Sequence, residues 1–503
     1  MQGSEETIDD VAITKMAKGA FIVFMGLMLG YLLEYVIRLL IARWYGPAQY
    51  GSLSLGIAIM SILAVFAIFG LEEGVSRQIS FYKGQKDKIR GIISFALKTS
   101  IIFSIIFAVC LFICAENLSV IFNDPSLYGI LQVFAITLPF FVIFKDAVAI
   151  IRGLHVVKYK FYFQDIFAPF FRILLLVSFF VLGYGIIGPT LAYSISIITA
   201  ALILLYVTHT KIIKLVPFAV DKEIRKELIK FSWPLMIMNI SSLLSAWTNT
   251  IVLGLYKTTT EIGIYNALMP TAMLLQFPFT AFSFLFMPIL TEMVAKKQID
   301  GIRNIYSVVT RWVFMVSLPV LVLIFLFPEQ IINTLFGSEY VVASLVFIFL
   351  AIGNFVPIAT GPKGYTIISF GRTKISLLTW VSILLINLGL SLVLIPIYGL
   401  VGAALSFMIA MVSVHAIMLV YVNRSYGIWP FSLNYLKSIF ACLISAGIIY
   451  WLVDVLTFST TNAIIACIVY FISYVTLILL FRALQKEDYM LIDKFKRKLG
   501  LSQ

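Results

Sequence analysis

Six ionisable residues sit where an apolar chain would carry none: Glu34, Arg38, Lys98, Lys145, Asp146 and Arg172. Each interrupts a run of apolar residues long enough to cross a bilayer, where a charge costs about 2.5–3.5 kcal/mol unless it is paired or wet. Four cations stand against two acids, and such a set is suited to holding an anion. Lys145 lies seven residues before Arg152, and Arg172 eight after Gln164. At about 1.5 Å per residue each is then roughly 10–12 Å in from the same side, on consecutive antiparallel helices. The chemistry this points to is a cationic site for a diphosphate head group, because an Arg fork meets phosphate oxygens bidentately. Arg172, Lys145, Arg38 and Arg152 form the candidate diphosphate-binding set. The plainer alternative is that one of the two deep cations pairs with Asp146 and the other snorkels to the interface.

Glu34 precedes Arg38 by four residues, the favoured order for an intrahelical pair. Two readings follow: a self-satisfying pair, or a cavity-lining pair in which Glu34 takes a proton or cation and Arg38 a phosphate. Glu34 and Asp146 are therefore the ion-coupling or charge-pairing candidates. Lys98, six residues into its helix, reads as a snorkelling anchor. Trp247 and Asn249 in SAWTNTIVLG are either packing contacts or the lining of a seam between two halves.

The elements that must hold these residues are membrane helices. Of 503 residues 61% are hydrophobic and 12% charged, with mean hydropathy +1.03. A soluble chain carries about 25% charged residues. Apolar runs of roughly 20 residues, the length that spans about 30 Å of hydrocarbon, fall near 19–42, 48–70, 92–115, 129–151, 164–183, 187–208, 233–254, 264–290, 309–328, 341–361, 376–397, 400–422, 436–456 and 462–481. The expected fold is an all-α integral membrane protein with fourteen transmembrane helices.

With the N-terminus placed in the cytoplasm, outside loops hold only Arg43 and Lys257, and Arg38, Lys98, Lys145 and Arg172 are embedded; every other Lys and Arg of the 37 falls on the cytoplasmic side. That asymmetry orients a multi-pass protein in the plasma or inner membrane with both termini inside. It also accounts for the net charge of +13 as topology, with some attraction for anionic lipid, and removes nucleic acid as a partner. Residues 1–14 are acidic and lack the pattern of a signal peptide.

A duplication organises the whole. Tyr184-Gly-Ile-Ile-Gly188 returns as Tyr398-Gly-Leu-Val-Gly402, 214 residues on; Phe122 returns as Phe336, and Lys158 and Lys160 as Arg372 and Lys374. Gly51 pairs with Gly263 at an offset of 212. A nearly constant offset over several landmarks marks a repeated unit. Six spans separate equivalent positions, so both copies enter the membrane in the same direction and a two-fold axis along the membrane normal relates them. The division expected is a disordered cytoplasmic tail (1–14), an N-lobe of six spans (15–208), a cytoplasmic amphipathic linker (209–232), a C-lobe of six (233–422), two further spans (423–482) and a basic cytoplasmic tail (483–503).

Other signals point away from catalysis and cofactors. Cys110, Cys114, Cys442 and Cys467 all lie in apolar runs without the His or carboxylate partners of a metal site, so neither metal nor disulfide framework is expected. Gly183-x-Gly185-x-x-Gly188 matches a dinucleotide-binding glycine pattern but lacks the preceding strand and the ribose-binding acid. No nucleophile-and-base pair and no Walker glycine loop is present. The expectation is a carrier without cofactor, not an enzyme.

IARWYGPAQYGSLSLG and FGLEEGVSRQIS in the first half, with FSWPLMIMNISSLLSAWTNTIVLGLYKTTTEIGIYNA, LFGSEYVVAS, GRTKISLL and IYGLVGAALS in the second, resemble the polysaccharide-transport proteins. These are the O-antigen and oligosaccharide-lipid flippases of the multidrug/oligosaccharidyl-lipid/polysaccharide (MOP) superfamily. The likeness covers roughly residues 15–480. It implies a two-lobed bundle that moves a polyprenyl- or dolichyl-diphosphate-linked oligosaccharide, a polysaccharide repeat unit, from the cytoplasmic to the outer leaflet by alternating access. It also implies that cavity Arg and Lys residues grip the diphosphate. Relatives carry Asp near the end of span seven where this chain has Asn249. The expected partners are the lipid-linked oligosaccharide, the bilayer, H+ or Na+ as coupling ion, and glycan-assembly enzymes, with the chain acting as a monomer. Three other readings stay open: a cation-coupled multidrug exporter, which calls for a more acidic cavity; a glycan polymerase or ligase, which calls for a large external loop that this chain lacks; and a non-transporting scaffold.

Overall fold

Gly46 is where the first long helix breaks. Helix α1 spans Ile8–Ile68, and inside it Gly46 takes φ 75° and ψ 172° immediately before Pro47. A side chain at that φ is strained, and Pro47 has no N–H to continue the ladder, so these two residues interrupt the helix between the apolar runs expected at 19–42 and 48–70. The computed structural model describes residues 8–484 apart from 157, 216–217, 432 and 456–459. Residues 1–7 of the expected tail and most of the basic segment 483–503 lie outside it, whereas residues 8–14 are the first turns of α1.

After α1 come α2 (Leu71–Phe81), α3 (Lys86–Ile121), α4 (Pro125–Gly153), α5 (Lys158–Val181), α6 (Ile187–Ile212), α7 (Lys222–Tyr256), α8 (Thr259–Met273), α9 (Phe277–Ala295) and α10 (Ile299–Leu326). The short α11 (Pro328–Leu335), α12 (Ser344–Ala359), α13 (Lys363–Ser369), α14 (Thr373–Tyr398), α15 (Leu400–Tyr426), α16 (Leu433–Val455) and α17 (Thr460–Leu480) follow, and the fold of the described residues is all-helical. Among the described residues eleven helices are long and apolar enough to cross a membrane. They turn apolar residues outward: α3 exposes Ile102, Phe103, Ile106 and Ile113, which water would penalise and lipid does not.

The chain divides into two compact units, Met1–Ala267 with Ile395–Leu400, and Leu268–Leu394 with Val401–Gln503. In the first unit one core joins Leu71, Val75 and Ile79 of α2 to Ile89 and Ile92 of α3, Ile150 of α4, and Ile224 and Leu228 of α7. The spacing of Ile224 and Leu228, one turn apart, explains the start of α7: the amphipathic stretch lays its apolar stripe on α2 and then runs unbroken into the next span. A second core packs α4 against α6 through Phe144, Ala147, Val148 and Ile151 on one side and Ala200, Ala201 and Leu204 on the other.

Gly51 and Gly263 meet. A Cβ on Gly51 would lie 1.8 Å from the carbonyl oxygen of Thr259, and a Cβ on Gly263 would lie 1.8 Å from that of Pro47. Pro47 and Thr259 are 212 residues apart, as the glycines are, so the contact is reciprocal: each glycine faces the carbonyl four residues before the other. Small residues let two membrane helices approach backbone to backbone, and Tyr50 Oη extends the junction by donating to the Asn266 carbonyl at 3.2 Å.

In the second unit, Phe286 and Leu290 of α9 pack on Ile302 and Tyr306 of α10, Ile367 of α13, and Met418 and Val422 of α15. Helix α17 is fastened by two tyrosines: Tyr474 Oη donates to the Met315 carbonyl at 2.9 Å and Tyr470 Oη to that of Pro319 at 3.1 Å. Pro319 lacks the N–H that would bond to Met315 four residues earlier, so Tyr474 supplies the donor that the proline removes.

Candidate functional site

The cavity of interest lies in the first unit and is lined by residues of α1, α4, α5, α6, α7 and α8. Its volume is about 210 Å³. That admits a small anionic head group. Glu34, Arg38, Lys145, Arg172 and Trp247 all line it, joined by Tyr50, Gln164, Tyr193 and Asn266.

Arg172 is the most constrained of these residues. It is 5% exposed, and its Nη1 donates to both oxygens of Glu34 at 3.0 and 3.1 Å. Nε donates to Ser196 Oγ at 3.1 Å, and the guanidinium stacks 4.3 Å from the centroid of the Tyr193 ring. Ser196 and Tyr193 stand on α6, Glu34 on α1, so three helices fix one plane. A guanidinium held flat by a carboxylate, a hydroxyl and an aromatic face is preorganised for a planar exchange of oxygen ligands.

The other cations are less committed. Lys145 is half-buried on α4 with its Nζ 5.6 Å from the Phe141 ring centroid, and it forms no ion pair among the described residues. Arg38 is exposed to the cavity, sits against the Tyr50 hydroxyl, and likewise has no ion-pair partner among the described residues. Three cations therefore face one carboxylate, so the cavity attracts anions. The helix α5 that delivers Arg172 begins irregularly: Phe161–Phe167 is π-helical. Such bulges re-aim side chains within a helix, and Gln164 in this one reaches the cavity wall. Asp165 beside it is paired with Lys160 at 3.6 Å.

Several expectations place differently. Glu34 pairs across to Arg172, not along its own helix to Arg38, because Arg172 is driven into the unit by the apolar surroundings and must find a counter-charge there. Asp146 pairs with neither Lys145 nor Arg172: it is 3% exposed, lies near Ser100, and does not line the cavity. Successive residues on a helix point about 100° apart, so Lys145 and Asp146 take different faces. Arg152 is also outside the cavity. It is held by Glu72 and Glu73 of α2, each at 3.1 Å, which ties α4 to α2 near their ends. Asn249 is buried and donates to Tyr265 Oη at 2.8 Å, so it bridges α7 and α8, while Trp247 two residues earlier meets the cavity.

The second unit is not free of buried cations, contrary to the count of charges within spans. Lys363 is 1% exposed and donates to the carbonyls of Pro357 and Gly361 at 3.2 and 3.3 Å and to Thr360 Oγ1. Arg311 is 3% exposed. Both stand at the edges of apolar runs, where a sequence reads a charge as interfacial; the fold covers them. The sequence also gave no sign of Ser196, Tyr193 or Gln164. Ser and Tyr are common in membrane helices, and a π bulge has no residue signature.

Residues 16–294 match the family described as polysaccharide biosynthesis protein. The probable low-salt glycan biosynthesis flippase Agl15 of Haloferax volcanii is 24% identical over 399 residues, covering 78% of this chain and 80% of that one. The fold is similar to the lipid II flippase MurJ in its inward closed conformation, with TM-score 0.73, 15% identity, and coverage of 92% of this chain and 98% of that one. It is also similar to an inward-facing multidrug resistance MATE family transporter of the MOP superfamily, with TM-score 0.68, 16% identity, and coverage of 81% and 98%.

Proposed function

The chain belongs to the polysaccharide biosynthesis protein family, a polysaccharide-transport branch of the MOP superfamily, and from that premise we propose that it is a flippase for lipid-linked, diphosphate-headed oligosaccharides. It is a multi-pass membrane carrier that takes its substrate at the cytoplasmic leaflet and releases it at the outer one by alternating access. The observation that carries this reading is the cavity of the first unit, where Arg38, Lys145 and Arg172 face a single carboxylate among the described residues, that of Glu34. Such a hollow is matched to a diphosphate and mismatched to a cationic drug, which sets the exporter reading second. The name of the Haloferax volcanii relative supports the glycan class.

In this mechanism Arg172 exchanges one oxyanion for another. Before loading, Glu34 holds the guanidinium in plane. The arriving diphosphate displaces the carboxylate, Lys145 and Arg38 close on the remaining phosphate oxygens, and the freed Glu34 takes up H+ or Na+. Release reverses the exchange, so the pair keeps the empty site from holding the substrate too tightly. The lipid chain stays in the bilayer. Fourteen spans in two like-oriented repeats, with both termini cytoplasmic, complete the arrangement; the self-mirrored junction of Gly51 and Gly263 supports the repeat.

The test uses the full chain in liposomes with a fluorescent polyprenyl-diphosphate sugar and an impermeant quencher that reports which leaflet it occupies. Arg172→Ala combined with Lys145→Ala abolishes the protein-dependent transfer while the protein inserts and elutes as wild type. Transfer at the wild-type rate in the double variant removes this assignment.

A further inference from the structure

A second cavity, sharing no lining residue with the first, opens at the end of the first unit where the basic loops gather. Its volume is about 440 Å³, and Lys83, Lys86, Arg90, His155 and Lys214 line it. These come from four separate places: the turn after α2, the first turns of α3, the exit of α4 and the exit of α6. Among the described residues no carboxylate is in the lining; Asp87, next to Lys86, points to Arg90 at 3.3 Å. The floor is apolar, with Ile79, Ile89 and Ile213 beneath the cations. Lys83, Lys86, His155 and Lys214 are exposed, and none of the described pairings binds them to an acid.

Orientation alone does not explain this arrangement. Charges that only set topology repel one another and spread over a loop surface, whereas here five basic groups converge on one hollow with an apolar base. A soluble phosphate would need the cations but not the base. A lipid head group uses both: its phosphate meets the Lys and Arg side chains, and its glycerol and first methylenes lie on the isoleucines. The hollow sits at the end of the unit that the charge pattern assigns to the cytoplasmic leaflet, where anionic lipids concentrate.

We propose that this cavity is a binding site for the phosphate head group of an anionic phospholipid, separate from the transported substrate. One bound lipid there crosslinks the ends of α2, α3, α4 and α6, of which α4 and α6 also line the cation cavity.

The experiment uses the full chain in nanodiscs of neutral phospholipid to which phosphatidylglycerol is added, with native mass spectrometry counting retained anionic lipids. The wild type retains one tightly held phosphatidylglycerol, and the Lys83→Gln/Lys214→Gln variant needs about thirtyfold higher lipid fraction for the same occupancy, from the loss of two surface cations. A control variant, Lys296→Gln/Lys297→Gln, removes two basic residues outside the cavity and keeps the lipid. A second arm offers inorganic pyrophosphate in neutral nanodiscs and finds no saturable binding that depends on Lys83 and Lys214. Equal retention by the wild type and the cavity variant overturns the proposal, as does equal loss in the control. Saturable pyrophosphate binding at this site that phosphatidylglycerol does not compete overturns the lipid assignment in favour of a soluble phosphate.

Discussion

Replacing Glu34 by Gln should tighten the cavity's hold on a diphosphate and slow its release. The carboxylate takes two hydrogen bonds from Arg172 Nη1, at 3.0 and 3.1 Å, in a pair whose side chains are 6% and 39% exposed. Exposed pairs are worth about 0–1 kcal/mol and fully buried ones cost about 3–5 kcal/mol to break from one side; this half-open pair falls between, at about 1–2 kcal/mol. Gln retains one acceptor oxygen, so the fold loses less than that. The larger effect is on the ligand. A negative charge about 5 Å from a phosphate opposes it by roughly 3 kcal/mol at an effective dielectric of 20, and the exposure of Glu34 reduces this to about 1.5 kcal/mol, a tenfold change in affinity. Calorimetric titration of pyrophosphate or methylenediphosphonate into the detergent-solubilised chain measures it. The expected result is about tenfold tighter binding by the Glu34→Gln variant, together with slower transfer in liposomes and lost dependence on the ion gradient. Unchanged or weaker binding would mean that Arg172 stays locked with Glu34 and does not receive the substrate, and the exchange mechanism would fail with it.

Two further outcomes test the packing that supports the site. Gly51→Ala drives a Cβ to within 1.8 Å of a backbone oxygen, which no rotamer can relieve, so α1 and α8 must part at a cost of about 1–3 kcal/mol. Gly263→Ala should lower the thermal midpoint equally, and the double variant should cost less than the two singles added, since one separation accommodates both; strict additivity would deny the mirrored contact. Tyr474→Phe strands the Met315 carbonyl and should cost about 1–2 kcal/mol in a denaturation series. In a Pro319→Ala background the helix regains its own donor and the cost should nearly vanish, whereas an unchanged cost would show that Tyr474 acts through something other than that carbonyl.

Much of the architecture follows from hydrocarbon alone. A bilayer leaves a spanning backbone few options but helix, so runs such as 92–115 and 129–151 announce α3 and α4, and the gap between the runs at 19–42 and 48–70 announces the break in α1. The pairing of Gly51 with Gly263 was legible as an offset, although only the fold made it a contact. Less legible were the cases where covering is decided by neighbours. Lys363 and Arg311 sit at the ends of apolar runs and read as wet, yet the second unit closes over them. The π-helical turn at Phe161–Phe167 left no mark because its backbone shift requires no particular residue type.

The same division runs through the cavity. The cost of a charge in hydrocarbon depends on the residue and its surrounding run, so the chain by itself determined that Glu34, Arg38, Lys145 and Arg172 needed an explanation and that their sum was positive. Which oxygen each cation faces depends on helix rotation and on partners far along the chain. Glu34 and Arg172 are 138 positions apart, and Lys145 and Asp146, adjacent in sequence, end in different surroundings. Only the tertiary structure could turn three helices so that Glu34, Ser196 and Tyr193 close on one guanidinium, because the energy of that contact belongs to no local segment.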